Sequence, residues 1–211
     1  MKRIAALVLL LLPGLAAAQR MPSASDADLK RFSTPGSEIE VRVDGDFNGD
    51  GQTDTAFIER GDDARRLHVL LAYRTPTSSD YHPVGSHDLD TSPLGPAEMS
   101  VGKGVLIVKD LTGGTSAIQA TYRYRWDAAA RTMRLIGIDA FWYSRTNQHD
   151  SYETSWNLLT GAFITRASKL KPAGSKGDEA YFAPVTTTRR RPSPPLDVNT
   201  TPDPEALISG R

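Results

Sequence analysis

ATYRYRW, residues Ala120 to Trp126, alternates without a break: Tyr122, Tyr124 and Trp126 fall on one side, Arg123 and Arg125 on the other. Period two belongs to a pleated strand with one buried face, and aromatic residues suit that surface. The pattern spreads outward from there. EIEVRV, 38–43, sets Ile39, Val41 and Val43 against charged residues, and RLHVLLAY, 66–73, repeats the period with Leu67, Val69, Leu71 and Tyr73. GVLIVKD, 104–110, is a short apolar run of strand length, and TMRLIGIDAFWY, 132–143, and TSWNLLTGAFI, 154–164, complete the series. The turn formers Gly61-Asp62-Asp63, Pro93 to Pro96, Gly113-Gly114 and Asp127 to Ala130 lie between them. Strands joined so briefly pair antiparallel. The expectation is an all-β domain, a meander of about eight strands, with one helical hint after Ser25.

The ends read differently. The chain of 211 residues opens with Lys2 and Arg3, an apolar run from Ile4 to Leu12, a Pro13-Gly14 break and an Ala16-x-Ala18 site. That is the layout of a cleavable secretory signal over 1–18, too short in its apolar core to span a bilayer, and it predicts a periplasmic or secreted protein with no membrane anchor. Residues 19–37 form an N-terminal segment and 38–188 the β domain. The stretch 189–211, RRRPSPPLDVNTTPDPEALISGR, is rich in proline and arginine and lacks aromatic residues. Its composition predicts a disordered tail.

Acidic and basic residues balance at 25 each, which disfavours a nucleic-acid binder. The chain has no cysteine, so no disulfide restrains an exported fold of this kind. Restraint then has to come from packing or from an ion, and residues 44–59, DGDFNGDGQTDTAFIE, offer a cage for one. Calcium takes six to eight oxygen ligands. With Asp46 counted first, Asn48, Asp50 and Asp54 fall on alternate positions, Gly51 stands at the sharp turn, and Gln52 presents its carbonyl. Three carboxylates held this close repel one another strongly without a cation. The competing reading is a polar hairpin built of Asx turns. An EF-hand is excluded, because its twelfth position requires a glutamate and holds Phe57, and strands rather than helices flank the loop. A structural role suits the ion better than a catalytic one, since no histidine adjoins the loop.

No nucleophile elbow, P-loop or HExxH motif is present, and the four histidines are scattered. His82 and His87, set among Asp80, Asp88 and Asp90, are a weak metal pattern. The chain therefore reads as a non-enzyme, with an enzyme of unrecognised type as the remote alternative. Contact residues are better represented. Thr112, Gly113, Gly114, Thr115 and Ser116 form a glycine-rich loop, and Tyr143 and Arg145 lie in a segment rich in the residue types that dominate protein interfaces. Trp126, Phe141 and Trp156 are read as core. The same aromatics would also serve a glycan-binding module.

The acidic loop resembles the D-x-[DN]-x-D-G-x-x-D calcium loops of FG-GAP and VCBS repeats, which occur in β-propellers. A propeller carries several such loops and this chain carries one. Over about 38–168 the chain looks like small exported bacterial proteins with a single loop of this kind, a Tyr/Arg-rich strand (ATYRYRWD), an LIGID-like strand and a SWNLLTG-like hairpin. Similar proteins include calcium-binding periplasmic inhibitors of lysozyme-like effectors, immunity proteins whose inhibitory loop enters a glycan cleft. The resemblance implies calcium at Asp46, Asn48, Asp50, Gln52 and Asp54, a lysozyme-like peptidoglycan hydrolase as protein partner, and 112–116 as the inhibitory loop. That loop matches in position and glycine content and lacks a tyrosine.

Overall fold

A computed structural model describes residues 20–172 and 177–209. The signal segment 1–18 lies outside the described residues. Eleven strands form two antiparallel sheets. The first holds β1 (Glu38–Gly45), β2 (Asp54–Arg60), β3 (Arg65–Arg74) and β4 (Ser79–Asp88) in chain order. The second holds β5 (Glu98–Gly102), β6 (Val105–Gly113), β7 (Ser116–Asp127), β8 (Thr132–Ser144), β9 (Ser151–Asn157), β10 (Ala162–Ser168) and β11 (Val185–Arg190), again each beside the next. The all-β meander is thus present, broken once between β4 and β5.

The strand count exceeds eight because β4 and β11 carry no apolar alternation and β5 offers only two apolar positions, Met99 and Val101, which pack on the core. In β4, Pro83 and Gly85 oppose Leu70 and Val69 across a bulge, a position where a missing N–H is tolerated. β5 is a five-residue edge strand, and every residue of β11, the opposite edge, is exposed. An exposed edge strand such as β11 needs only backbone partners, so its side chains are unconstrained.

The apolar faces of the two sheets meet in one core containing Ile58, Leu67, Val69, Leu106, Val108, Tyr122, Tyr124, Leu135 and Ile138. β2 is buried on both faces. Its Phe57, with Leu70 and Ala72 of β3, packs under α1 (Asp26–Lys30) through Leu29. Ser25 caps α1 in a capping box with Asp28, as its place before the helix suggests. Tyr73 departs from the expected alternation and is half exposed. At the interface of the layers Arg65 is fully buried, bonded to Glu40 of β1 (2.6 and 2.7 Å) and to Asp110 of β6 (2.8 Å twice).

Residues 189–209 correct the expectation of a disordered tail. Val198, Leu207 and Ile208 are buried, the last two on α2 (Pro204–Ser209). The backbone of Leu135 donates to Leu196 O (2.9 Å), Ser86 N to Asn199 Oδ1 (3.0 Å), and Tyr124 shares a hydrogen bond with Thr201. Arg189 and Arg191 lie over the Phe163 ring, and Arg191 also over Trp156 at 4.5 Å. Average composition hid this, because a few apolar anchors at the right spacing close the gap between the sheets whatever surrounds them.

Candidate metal loop and partner face

The acidic loop joins β1 to β2, with Phe47 driven into the core as its anchor. Gly49 and Gly51 take φ values of +81° and +82°, which lets the backbone coil tightly. Asp46 accepts from the N–H groups of Gly49 (2.7 Å) and Gly51 (2.9 Å), and Asp50 from Gln52 N (2.7 Å). Asn48 accepts from Asp50 N and donates its amide to the Asp50 carboxylate at 3.0 Å. Asp54, fully buried, accepts from Phe47 N (2.7 Å) and Ala72 N (2.9 Å). Gln52 accepts from Met21 N through its side chain. Asp44, outside the pattern, holds Thr55 and Arg42.

Burial pushes the Asp54 carboxyl up to about 6, with Asp50 and Asp46 adding to the shift against the two N–H donors. The loop acids therefore act on one another, as an ion site would require. Their chemistry, hard oxygens throughout with lone pairs left over on each carboxylate, suits calcium. Their present bonds are those of a self-satisfied Asx-turn loop, and among the described residues no group of three or more His, Asp or Glu side chains is arranged as a metal cage. Binding an ion would require those carboxylates to turn inward.

The second candidate region lies at one end of the seven-stranded sheet. Thr112 is buried at the end of β6, while 113–116 make a tight, exposed turn into β7 closed by Gly114 N to Ser116 O at 2.9 Å. The loop is folded back rather than projecting. Arg145 N donates to Thr115 O (2.8 Å), its guanidinium reaches Gly114 O (3.4 Å), and Ser116 Oγ meets His149 Nε2 at 2.8 Å. His149 stacks on Trp142 with ring centres 3.9 Å apart. Residues separated by thirty positions thus form one end face. Beside it, Tyr143 stacks on Phe141 at 4.9 Å, and both line a groove of about 620 Å³ with Arg145, Glu153, Arg166 and Phe182. Phe141 belongs to this groove and not to the core, whereas Trp156 is buried as expected and Trp126 partly so. Phe182, half exposed, carried no pattern in the sequence; only the fold brings it to the groove that Tyr143 lines.

His82 and His87 do not converge on one point: His82 packs edge-on against Tyr73 and His87 against Tyr122. No protein-family model, curated protein or solved structure matches this chain.

Proposed function

We propose that the chain is an exported, calcium-binding β domain that binds a protein partner and inhibits a lysozyme-like peptidoglycan hydrolase. The observation that supports a binding role is the joining of the 112–116 turn to Arg145 and His149 at the end of the sheet, with Arg145 also lining the groove that holds Tyr143. Aromatic and arginine side chains on a stiff scaffold lose little entropy on contact, which favours their use as anchors. In this reading Asp46, Asn48, Asp50, Gln52 and Asp54 hold calcium and stiffen the β1–β2 connection. The test is inhibition of purified muramidases of several classes by the calcium-loaded protein. Tyr143→Ala combined with Arg145→Ala should relieve the inhibition. A folded protein that slows none of the enzymes would overturn the proposal.

A second reading, a glycan-binding module of the cell envelope, is favoured by the stacked Phe141 and Tyr143 and by exposed Phe182 around a groove with charged walls. Apolar faces of sugar rings stack on such aromatics. Glycan-array binding that depends on Tyr143 or Phe182, without muramidase inhibition, would select it.

A further inference from the structure

A cleft of about 720 Å³ lies where β4, β6, β7 and the C-terminal segment meet, a size typical of small-molecule sites. It is separate from the end face described above, apart from Thr112, which it borrows as wall. Five carboxylates line it: Asp88, Asp90, Asp110, Asp203 and Glu205. Arg66 is the cation among the lining residues, and it is bound to Asp88. Asp110 shares buried Arg65 with Glu40, so this ion cluster holds two carboxylates for one guanidinium. A negative surplus is therefore built into the floor as well as the rim.

Acidic residues alone would describe any solvated surface. Two further side chains separate this cleft from one. Tyr122 is 3% exposed and lines the cleft, yet its hydroxyl has no hydrogen-bond partner among the described residues. That hydroxyl is not among the enclosed polar atoms without a partner, so it opens onto the cleft, where a bound group can meet it. His87, in edge contact with the Tyr122 ring at 5.3 Å, also has no hydrogen-bond partner among the described residues. Burial lowers its pKa against the opposing pull of Asp88, Asp110 and Asp203, so the ring keeps an acceptor nitrogen. The cleft thus collects negative charge around one aromatic pair, and the one lining guanidinium, Arg66, is already paired with Asp88. Among the described residues no acid or histidine group is spaced for a metal ion.

We propose that this cleft binds an organic cation carrying primary ammonium or guanidinium groups, with Asp203, Glu205 and Asp90 opposing its charge and Tyr122 and His87 accepting its N–H donors. An ammonium brings three donors and no acceptor, and its methylene stem packs against the Tyr122 and His87 rings. The chemistry is shared by a free polyamine and by a lysine side chain offered by another protein.

The experiment is calorimetric titration of the full chain, in calcium-containing buffer to occupy the acidic loop, with spermidine in one arm and acetyl-trilysine-amide in the other. A dissociation constant below about 1 mM is expected for at least one probe. Tighter spermidine identifies a free polyamine, and tighter trilysine identifies a basic side chain of a partner. The double substitution Asp203→Asn, Glu205→Gln should weaken binding roughly tenfold or more, since both acids are exposed and the asparagine keeps the oxygen that accepts from Glu205 N. Tyr122→Phe, which retains the ring packing, should weaken it several-fold. No heat from either probe with protein that melts normally overturns the proposal. So does binding that neither set of substitutions alters, or spermidine displaced by magnesium more strongly than by sodium at equal ionic strength.

Discussion

Glu59, on β2, shows how a single buried acid fastens the N-terminal segment to the first sheet. Its carboxylate accepts from Thr34 N (2.6 Å), Thr34 Oγ1 (3.0 Å) and Ser37 Oγ (2.8 Å). His68 Nε2 lies 3.0 Å away, outside good hydrogen-bond alignment, on a ring stacked against Phe57. Burial alone would raise the Glu59 pKa, but the His68 contact and the Thr34 and Ser37 donors outweigh it and hold the group down at about 2. A carboxyl whose pKa is lowered by folding stabilises the native state above its unfolded value, and that stability is lost as pH falls toward 2. The shift corresponds to about 3 kcal/mol. Glu59→Gln is expected to lower stability at pH 7 by roughly 2–3 kcal/mol and to flatten the fall between pH 4.5 and 2, measured by urea unfolding at a series of pH values. Glu59 could not have been singled out from sequence, because its donors Thr34 and Ser37 lie more than twenty positions away.

At the scale of elements, the β6–β7 turn separates two adjacent glycines. Gly113 takes φ +99°, and a Cβ there would stand 2.5 Å from Ser116 O, whereas one at Gly114 would meet nothing within 4 Å. Gly113→Ala is expected to cost about 1–3 kcal/mol, and Gly114→Ala less than about 0.5, read from denaturant midpoints. The pair distinguishes a turn built by backbone geometry from a loop kept open for contact. The β1–β2 connection has its own test. Calcium at about a hundredfold excess over its dissociation constant should stabilise the chain by about 2.7 kcal/mol, raising the melting temperature by several degrees, and Asp50→Ala should abolish the shift. Equal melting with calcium and with chelator would withdraw the ion. β7 and β8, with one buried face, were legible because burial imposes period two on their side chains, and β1 and β3 showed the same alternation although residues of both faces are covered. β4 and β11 were not, since a bulged or fully exposed edge strand answers to backbone pairing alone, and β5 is too short for its two apolar residues to make a pattern.

Across the whole molecule, the C-terminal segment closes the core it follows. Val198 sits on Gly85 of β4 so closely that a Cβ at Gly85 would lie 2.1 Å from its Cγ1. Deleting 196–211 would expose the contacts of Val198, Leu207 and Ile208, an expected loss on the order of 5 kcal/mol. A domain of ordinary stability would then be largely unfolded, visible as a broadened thermal transition and dye binding to exposed apolar surface. Gly85→Ala should fall between the truncated and intact proteins. Full stability after truncation would mean that the docked segment contributes no net stability.

By itself the sequence determined the β class, the antiparallel connectivity and the oxygen-rich loop, because each rests on neighbours within a few residues: alternation, short turns and spaced aspartates. The tertiary structure alone decided how the sheets divide, which acids are buried and what becomes of the tail. It also decided that Tyr143 and Phe182 line one groove and that Tyr122 faces an acidic cleft. Those outcomes depend on contacts between distant segments, whose strength comes from burial and from exclusion of water. No local pattern encodes which of two apolar residues will be covered, or by what.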